Sequence, residues 1–265
     1  MHLEEEEGKA LVDHYHVKGF PSIIFVDKDS MEIDRIIGYL PPEEFLAELQ
    51  RIQSREGTIP DLIKKTAQTA SNFDVWLELA GKYEDRGDLV AARDVYTTVA
   101  EKGIGDKDFV YFKLVELNSF IDDDVTDLEI FIAENLNSEY APYAFQSVIS
   151  IMRKNKDVDG EADAWERYMN LLELTKTYTA SIYNSYAWRM SEIELNLDRA
   201  LEKIRDAIQL TKSYDRERVA GYKDTEAEVL WKMGRIDEAV KVIDECIKLQ
   251  PSDDYFKSQR EKFLK

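Results

Sequence analysis

Hydrophobic spacing divides the chain into two regimes. Up to residue 54 the period changes from element to element, and beyond residue 70 it stays helical. From Lys9 to Val17, Ala10, Leu11, Tyr15 and Val17 fall roughly on one helical face, and Gly19 offers a stop. Ile23, Ile24, Phe25 and Val26 form a compact apolar run between Pro21 and the polar Asp27-Lys28-Asp29-Ser30, which predicts a buried strand and a turn. Ile33, Arg35 and Ile37 alternate with Asp34 and Ile36 ahead of Gly38, so a second strand closes a hairpin. Pro41 and Pro42 then open a helix carrying Phe45, Leu46, Leu49 and Ile52. Residues 55–70, with Gly57 and Pro60, read as a linker. Residues 71–265 read as helices of about 12–16 residues separated by short turns, with no strand.

A repeat runs through this helical part. Trp76, Leu79, Ala80, Tyr83, Gly87, Ala92 and Tyr96 give bulky residue, small pair, aromatic, turn glycine, small residue and bulky residue. Ala227, Leu230, Gly234, Arg235, Glu238, Ala239, Ile243, Cys246 and Pro251 give a final copy, and Ala187, Trp188, Ala200, Ile204 and Ala207 an intermediate one. Ala92, Ala164, Ala200 and Ala239 stand 72, 36 and 39 residues apart, the first gap holding two repeats. Each would be the small residue where two helices cross closely. The copy between Asp106 and Asn137 is degenerate: it has Phe109, Phe112, Val115, Ile130 and Ile132 but no turn glycine. This pattern resembles the tetratricopeptide family and implies about five stacked helical hairpins.

The first 54 residues carry a second resemblance. Tyr15-His16-Val17-Lys18-Gly19-Phe20-Pro21-Ser22-Ile23-Ile24-Phe25, then Glu32 to Tyr39, then Glu43-Glu44-Phe45-Leu46, resemble the C-terminal half of a thioredoxin-like domain. The resemblance implies a cis peptide bond at Pro21 and a substrate-contacting loop at Phe20 and Pro21. The family's first strands and CxxC helix have no counterpart here, and residues 1 to 4 would at most supply the tail of a central strand. A bare two-stranded hairpin is marginal in water, so the helical part or another chain should cover the exposed sheet edge, and a homodimer through that edge is one arrangement. The expected fold is mainly α: a tetratricopeptide-type α-α superhelix over residues 71–265, preceded over residues 1–54 by a partial α/β thioredoxin-like segment.

Composition and charge narrow the chemistry. The chain has 265 residues, is 44% hydrophobic and carries a net charge of −19. That charge excludes nucleic acid as the expected partner, because phosphate binding is driven by Lys and Arg. No apolar run is long enough to insert in a membrane. Cys246 is the one cysteine, so the chain contains no CxxC, and its place beside Ile243 and Ile247 reads as an inert core residue. His14 and His16, with His2 nearby in sequence, read as two partly exposed histidines at a helix end and not as metal ligands, since i and i+2 point to different faces, and Glu4 to Glu7 as a solvated acidic run. Asn155 to Glu166 has the glycine and glutamate spacing of a calcium loop. It begins with Asn, has Ala162 where a branched apolar residue is usual, lacks a partner loop, and works equally as a repeat turn. Asp122-Asp123-Asp124 reads as a helix-capping acidic turn. No catalytic constellation, metal cluster or cofactor motif is predicted.

The functional expectation is therefore a protein-interaction module. Repeat arrays bind partners along the surface made by the first helix of each pair. In this register those helices present Asp74, Glu78, Glu84, Asp85, Arg189, Glu192, Asp224 and Glu228. The groove would be mostly acidic and suited to a protein or peptide partner of basic or amphipathic character. The competing expectation is a thioredoxin-family thiol–disulfide oxidoreductase, active in redox homeostasis, whose CxxC lies upstream. The two resemblances together point to a bacterial source. The chain alone reads as cytoplasmic, and as periplasmic if a signal segment precedes it.

Overall fold

A computed structural model describes residues 6–265. The N-terminal elements follow the predicted order. Helix α1 spans Glu6–His14, strands β1 and β2 span Ser22–Val26 and Glu32–Ile37, and α2 spans Pro42–Gln53. His2, the strand tail expected at residues 1 to 4 and the first two residues of the acidic run, Glu4 and Glu5, lie outside the described residues. Helix α1 stops ahead of Gly19 because His16 takes a φ of 49° and the Val17 N–H closes onto the Val12 carbonyl at 2.9 Å. The strands pair antiparallel, Ser22 opposite Ile37 and Ile23 opposite Ile36. Asp27 builds their turn, its Oδ1 accepting from the N–H groups of Asp29 and Met31 at 2.9 and 3.0 Å. The Phe20–Pro21 peptide bond is cis.

Residues 55–70 are not a linker along their whole length. Helix α3 occupies Ile59–Gln68 and buries Ile59, Leu62 and Thr66. Pro60 sits in its first turn, where proline starts a helix rather than breaking one. Eleven further helices follow: α4 Phe73–Arg86, α5 Leu89–Lys102, α6 Lys107–Asp122, α7 Thr126–Glu134, α8 Ala141–Lys154, α9 Val158–Thr175, α10 Ala180–Ile193, α11 Leu197–Leu210, α12 Arg216–Lys232, α13 Ile236–Leu249 and α14 Asp254–Phe263. They form the helical hairpins α4–α5, α6–α7, α8–α9, α10–α11 and α12–α13. Two compact units result, Met1–Ala144 and Phe145–Lys265.

Small residues set the hairpin packing as the repeat pattern requires. Ala92, Ala200 and Ala239 are fully buried and Ala164 nearly so. Gly87 ends α4 at φ 76°, where a side chain would also press on His16. The degenerate repeat does without a turn glycine because Asp123 takes the left-handed conformation at φ 53°, while Asp124 accepts from the Thr126 N–H at 3.0 Å. In the first unit Ile59, Leu62, Leu79, Ala80, Ala92, Val95, Tyr96 and Leu117 form a continuous core. Gly105 lies against the Phe73 ring, with no room for a Cβ. In the second unit Tyr186, Met190, Ile204, Leu230 and Ile243 fill the centre.

Ion pairs join the thioredoxin-like segment to the first repeat. The Asp34 carboxylate on β2, only 2% exposed, accepts from Arg51 of α2 and Lys82 of α4, each at 2.7 Å. Next to it Arg35 pairs with Glu32 at 2.6 Å and donates to the backbone carbonyls of Tyr15 and Asp85 at 2.8 and 2.9 Å. Strand β2 is thus the covered one, with Glu32, Ile33, Asp34 and Ile36 buried, whereas Ile23 and Val26 of β1 stay exposed. Removing one member of a buried ionic cluster leaves the others desolvated and unpaired. We expect Asp34→Ala to lower the unfolding free energy by about 3 kcal/mol in urea denaturation. A loss below about 1 kcal/mol would place the cluster with ordinary surface pairs.

Candidate functional site

The residues that could meet a partner on the thioredoxin-like segment cluster around the Pro21 turn. The Ser22 hydroxyl donates to the Gly19 carbonyl at 2.7 Å, and the Gly38 N–H donates to the Pro21 carbonyl at 2.8 Å. These bonds fix the loop while its side chains face out: Phe20 is 63% exposed and Tyr39 79%. Ile37 and Leu46 are exposed as well. No thiol accompanies them. Cys246 is fully buried on α13 with its Sγ 3.4 Å from the Ala220 carbonyl, and burial pushes its thiol up to about 12.

The acidic positions predicted for the repeat groove fall into two sets, one in each unit. On α4, Asp74, Glu78 and Asp85 are exposed. Glu84 is engaged within the fold: it accepts from the Tyr96 hydroxyl at 3.1 Å and from Lys113 of α6 at 2.8 Å. Burial, then the charge of Glu84, holds the Tyr96 phenol well above its usual range. In the second unit, Arg189 of α10 lies between Glu161 at 2.6 Å and Glu192 at 3.0 Å. Glu192 also accepts from the Trp188 indole N–H at 3.1 Å. Asp224 of α12 accepts from the Tyr255 hydroxyl at 3.1 Å, and Glu228 pairs with Lys262 at 2.7 Å, both partners lying on α14. Half of the predicted groove residues, Glu84, Arg189, Asp224 and Glu228, therefore tie neighbouring helices together.

Sequence reasoning missed Glu161, Glu166 and Asp34 as structural charges. Glu161 is fully buried; burial alone would raise its carboxyl, but hydrogen bonds from Arg189 and Arg153 outweigh it and hold it below the usual range. Glu166 accepts from Tyr186, Asn196 and Arg199. In the structure the Asn155–Glu166 segment is the turn between α8 and α9 and the first half of α9. Asp157 caps α9 through the Gly160 N–H at 3.0 Å, and both glutamates point into arginine clusters. Among the described residues no group of three metal-ligating side chains forms. His14 and His16 border a groove of 530 Å³ shared with Met31, Arg86, Leu89 and Val90. Among the described residues no helix is long and apolar enough to cross a membrane.

Fold and site together define a class: a thioredoxin-like segment joined to a tetratricopeptide-like array of helical hairpins. Residues 3–53 match the model of the thioredoxin-like domain family. No curated protein sequence matches the chain. Among solved structures, BtubC (BKLC) from P. vanneervenii overlaps with a TM-score of 0.51 at 14% identity, over 73% of this chain and 87% of that one. The Cut9–Hcn1 hetero-tetramer of APC/C overlaps with a TM-score of 0.46 at 14% identity, over 82% of this chain, which spans 40% of that one. TTC0263, a thermophilic TPR protein from Thermus thermophilus, overlaps at 0.35 and 13% identity, over 71% of this chain and 97% of that one. At such identities the BtubC likeness shows a shared fold and nothing further.

The Asp224 carboxyl is pushed up to about 6, chiefly by burial, with the Tyr255 hydrogen bond acting against the shift. Its folded-state value lies above its unfolded one, so the folded protein takes up the proton first as pH falls. Stability from this group is therefore lowest when it is ionised above about pH 6 and rises toward about pH 4. We expect Asp224→Asn, which can still accept from Tyr255, to raise the melting temperature at pH 7.5, by about 2 kcal/mol of stability. The advantage should vanish near pH 4 in thermal scans across that window.

Proposed function

We propose that this chain is a protein-binding module in which the repeat helices hold a partner, and that its thioredoxin-like segment serves for docking and carries no redox chemistry of its own. The observation that carries this reading is the pairing of a helical-hairpin array with a rigid loop that exposes Phe20, Pro21 and Tyr39 and has no thiol beside it. Such exposed aromatic side chains are what peptide-contacting loops use, because they supply contact area with few rotatable bonds. The acids that remain exposed on α4, Asp74, Glu78 and Asp85, favour a basic or amphipathic peptide there. Glu84, Arg189, Asp224 and Glu228 drop to positioning roles in this reading, since each has an internal partner.

A basic amphipathic peptide carrying fluorescein, titrated by anisotropy, tests it. Replacing Asp74, Glu78 and Asp85 by lysine should weaken binding by about tenfold or more at low salt, and less at high salt. Equal affinity for the triple variant would remove α4 as the contact.

The second reading is a thiol–disulfide oxidoreductase whose CxxC lies in sequence preceding this chain. It is favoured by the family match over residues 3–53 and by the exposure of Phe20 at the loop where that family contacts substrate. Insulin reduction by the longer native protein, beside this 265-residue chain, separates the two. Turnover by the longer protein that falls in Phe20→Ala supports the oxidoreductase reading; no turnover by either leaves the binding module.

A further inference from the structure

We infer that a groove on the second unit, between the ends of α11 and α13 and the start of α12, binds an acidic segment of a partner protein that carries a large apolar side chain. The groove measures 530 Å³ and has an apolar floor of Ile208, Val219 and Leu249. Its rim carries Arg216, Lys223 and Lys248 against a single acid, Glu245. Lys223 and Glu245 neutralise one another at 2.7 Å. Arg216 and Lys248 are exposed and, among the described residues, neither makes an ion pair or hydrogen bond.

The contrast with the rest of the molecule makes this informative. The chain carries 54 acidic and 35 basic residues, and its cations are mostly engaged: Arg153 and Arg189 on Glu161, Arg199 on Glu166, Lys262 on Glu228. Here two cations stand free beside uncovered apolar surface. Carboxylates would meet Arg216 and Lys248 while an apolar side chain covers the floor, which is charge complementarity around a desolvated centre. Polynucleotide is disfavoured because two free cations cannot offset a net charge of −19. The site belongs to the other unit from the exposed α4 acids and takes the opposite charge, so it stands or falls independently of the basic-peptide reading.

The test is an anisotropy titration of the full chain with a fluorescein-labelled peptide of repeating Asp-Glu-Leu. Saturable binding should weaken by about tenfold in the double variant Arg216→Glu, Lys248→Glu and also when the leucines of the peptide become serine. The variant removes no ion pair or hydrogen bond, and an unchanged circular dichroism melt confirms its fold. The Asp74, Glu78 and Asp85 lysine variant should bind this peptide as the parent does. Equal affinity in parent and double variant, or indifference to the leucines, overturns the proposal. So does an oligothymidylate that binds at Arg216 and Lys248 while the acidic peptide does not.

Discussion

The buried Asp34 carboxylate is the contact on which the first unit depends. A two-stranded hairpin has too little buried surface to stand alone in water. Here the missing support comes from α2 and α4, and the ionic cluster fixes where it comes from. Burying a carboxylate is costly unless it is fully paired, so only a placement that brings both Arg51 and Lys82 to Asp34 is tolerated. Arg35 adds geometry with a salt bridge to Glu32 and donors aimed at the carbonyls of Tyr15 and Asp85. Hydrophobic burial supplies the attraction, through Ile33, Ile36, Ile52 and the α3 face, and the charges select the register. One consequence reaches the candidate site: the loop bearing Phe20 and Tyr39 is held on the same unit as the exposed acids of α4.

The helical part was legible wherever the signal was local. Gly87 and Gly234 at helix ends, the alanines at crossings and the prolines in first turns each state a backbone or steric requirement at a single position, and the structure meets them. The strands were legible for the same reason, since alternation and turn residues lie within a few positions of one another. The linker reading of residues 55–70 failed because Pro60 is ambiguous by itself: it breaks a helix from inside and starts one at its first turn. What resolves it is the apolar face of Ile59 and Leu62, too short a pattern to register without the neighbouring helix it covers.

The site was less legible, for a reason of distance. A glutamate on a first helix looks available until the cation that pairs with it is located, and those cations lie well away in sequence. Glu84 meets Lys113, Glu161 meets Arg189, Glu166 meets Arg199 and Glu228 meets Lys262, separations of 29, 28, 33 and 34 residues. These spacings are close to one repeat, so each carboxylate is answered by the element that follows its own hairpin, a further hairpin for the first three and α14 for Glu228. Each unit of a helical repeat bonds to its neighbours, and charge can do this where the apolar face is already used. The calcium-like spacing from Asn155 to Glu166 is the same effect seen from the other side. Its two glutamates belong to inter-repeat clusters, and the loop spacing arises from a turn followed by a helix.

A net charge of −19 therefore misdescribes what a partner meets. The engaged acids are neutralised by neighbours inside the fold, so the field at any surface point is set by the residues left over. On α4 these are the exposed acids Asp74, Glu78 and Asp85. Between α11, α12 and α13 they include the cations Arg216 and Lys248, while Glu226, Asp244 and Glu245 are taken by Arg205, Arg260 and Lys223. Repeat-to-repeat pairing thus sorts charge: what it consumes stabilises the array, and what it leaves gives each face its own sign. Specificity in such an array follows from the unpaired remainder at each groove, since unlike charges across a desolvated contact are favoured and like ones repel.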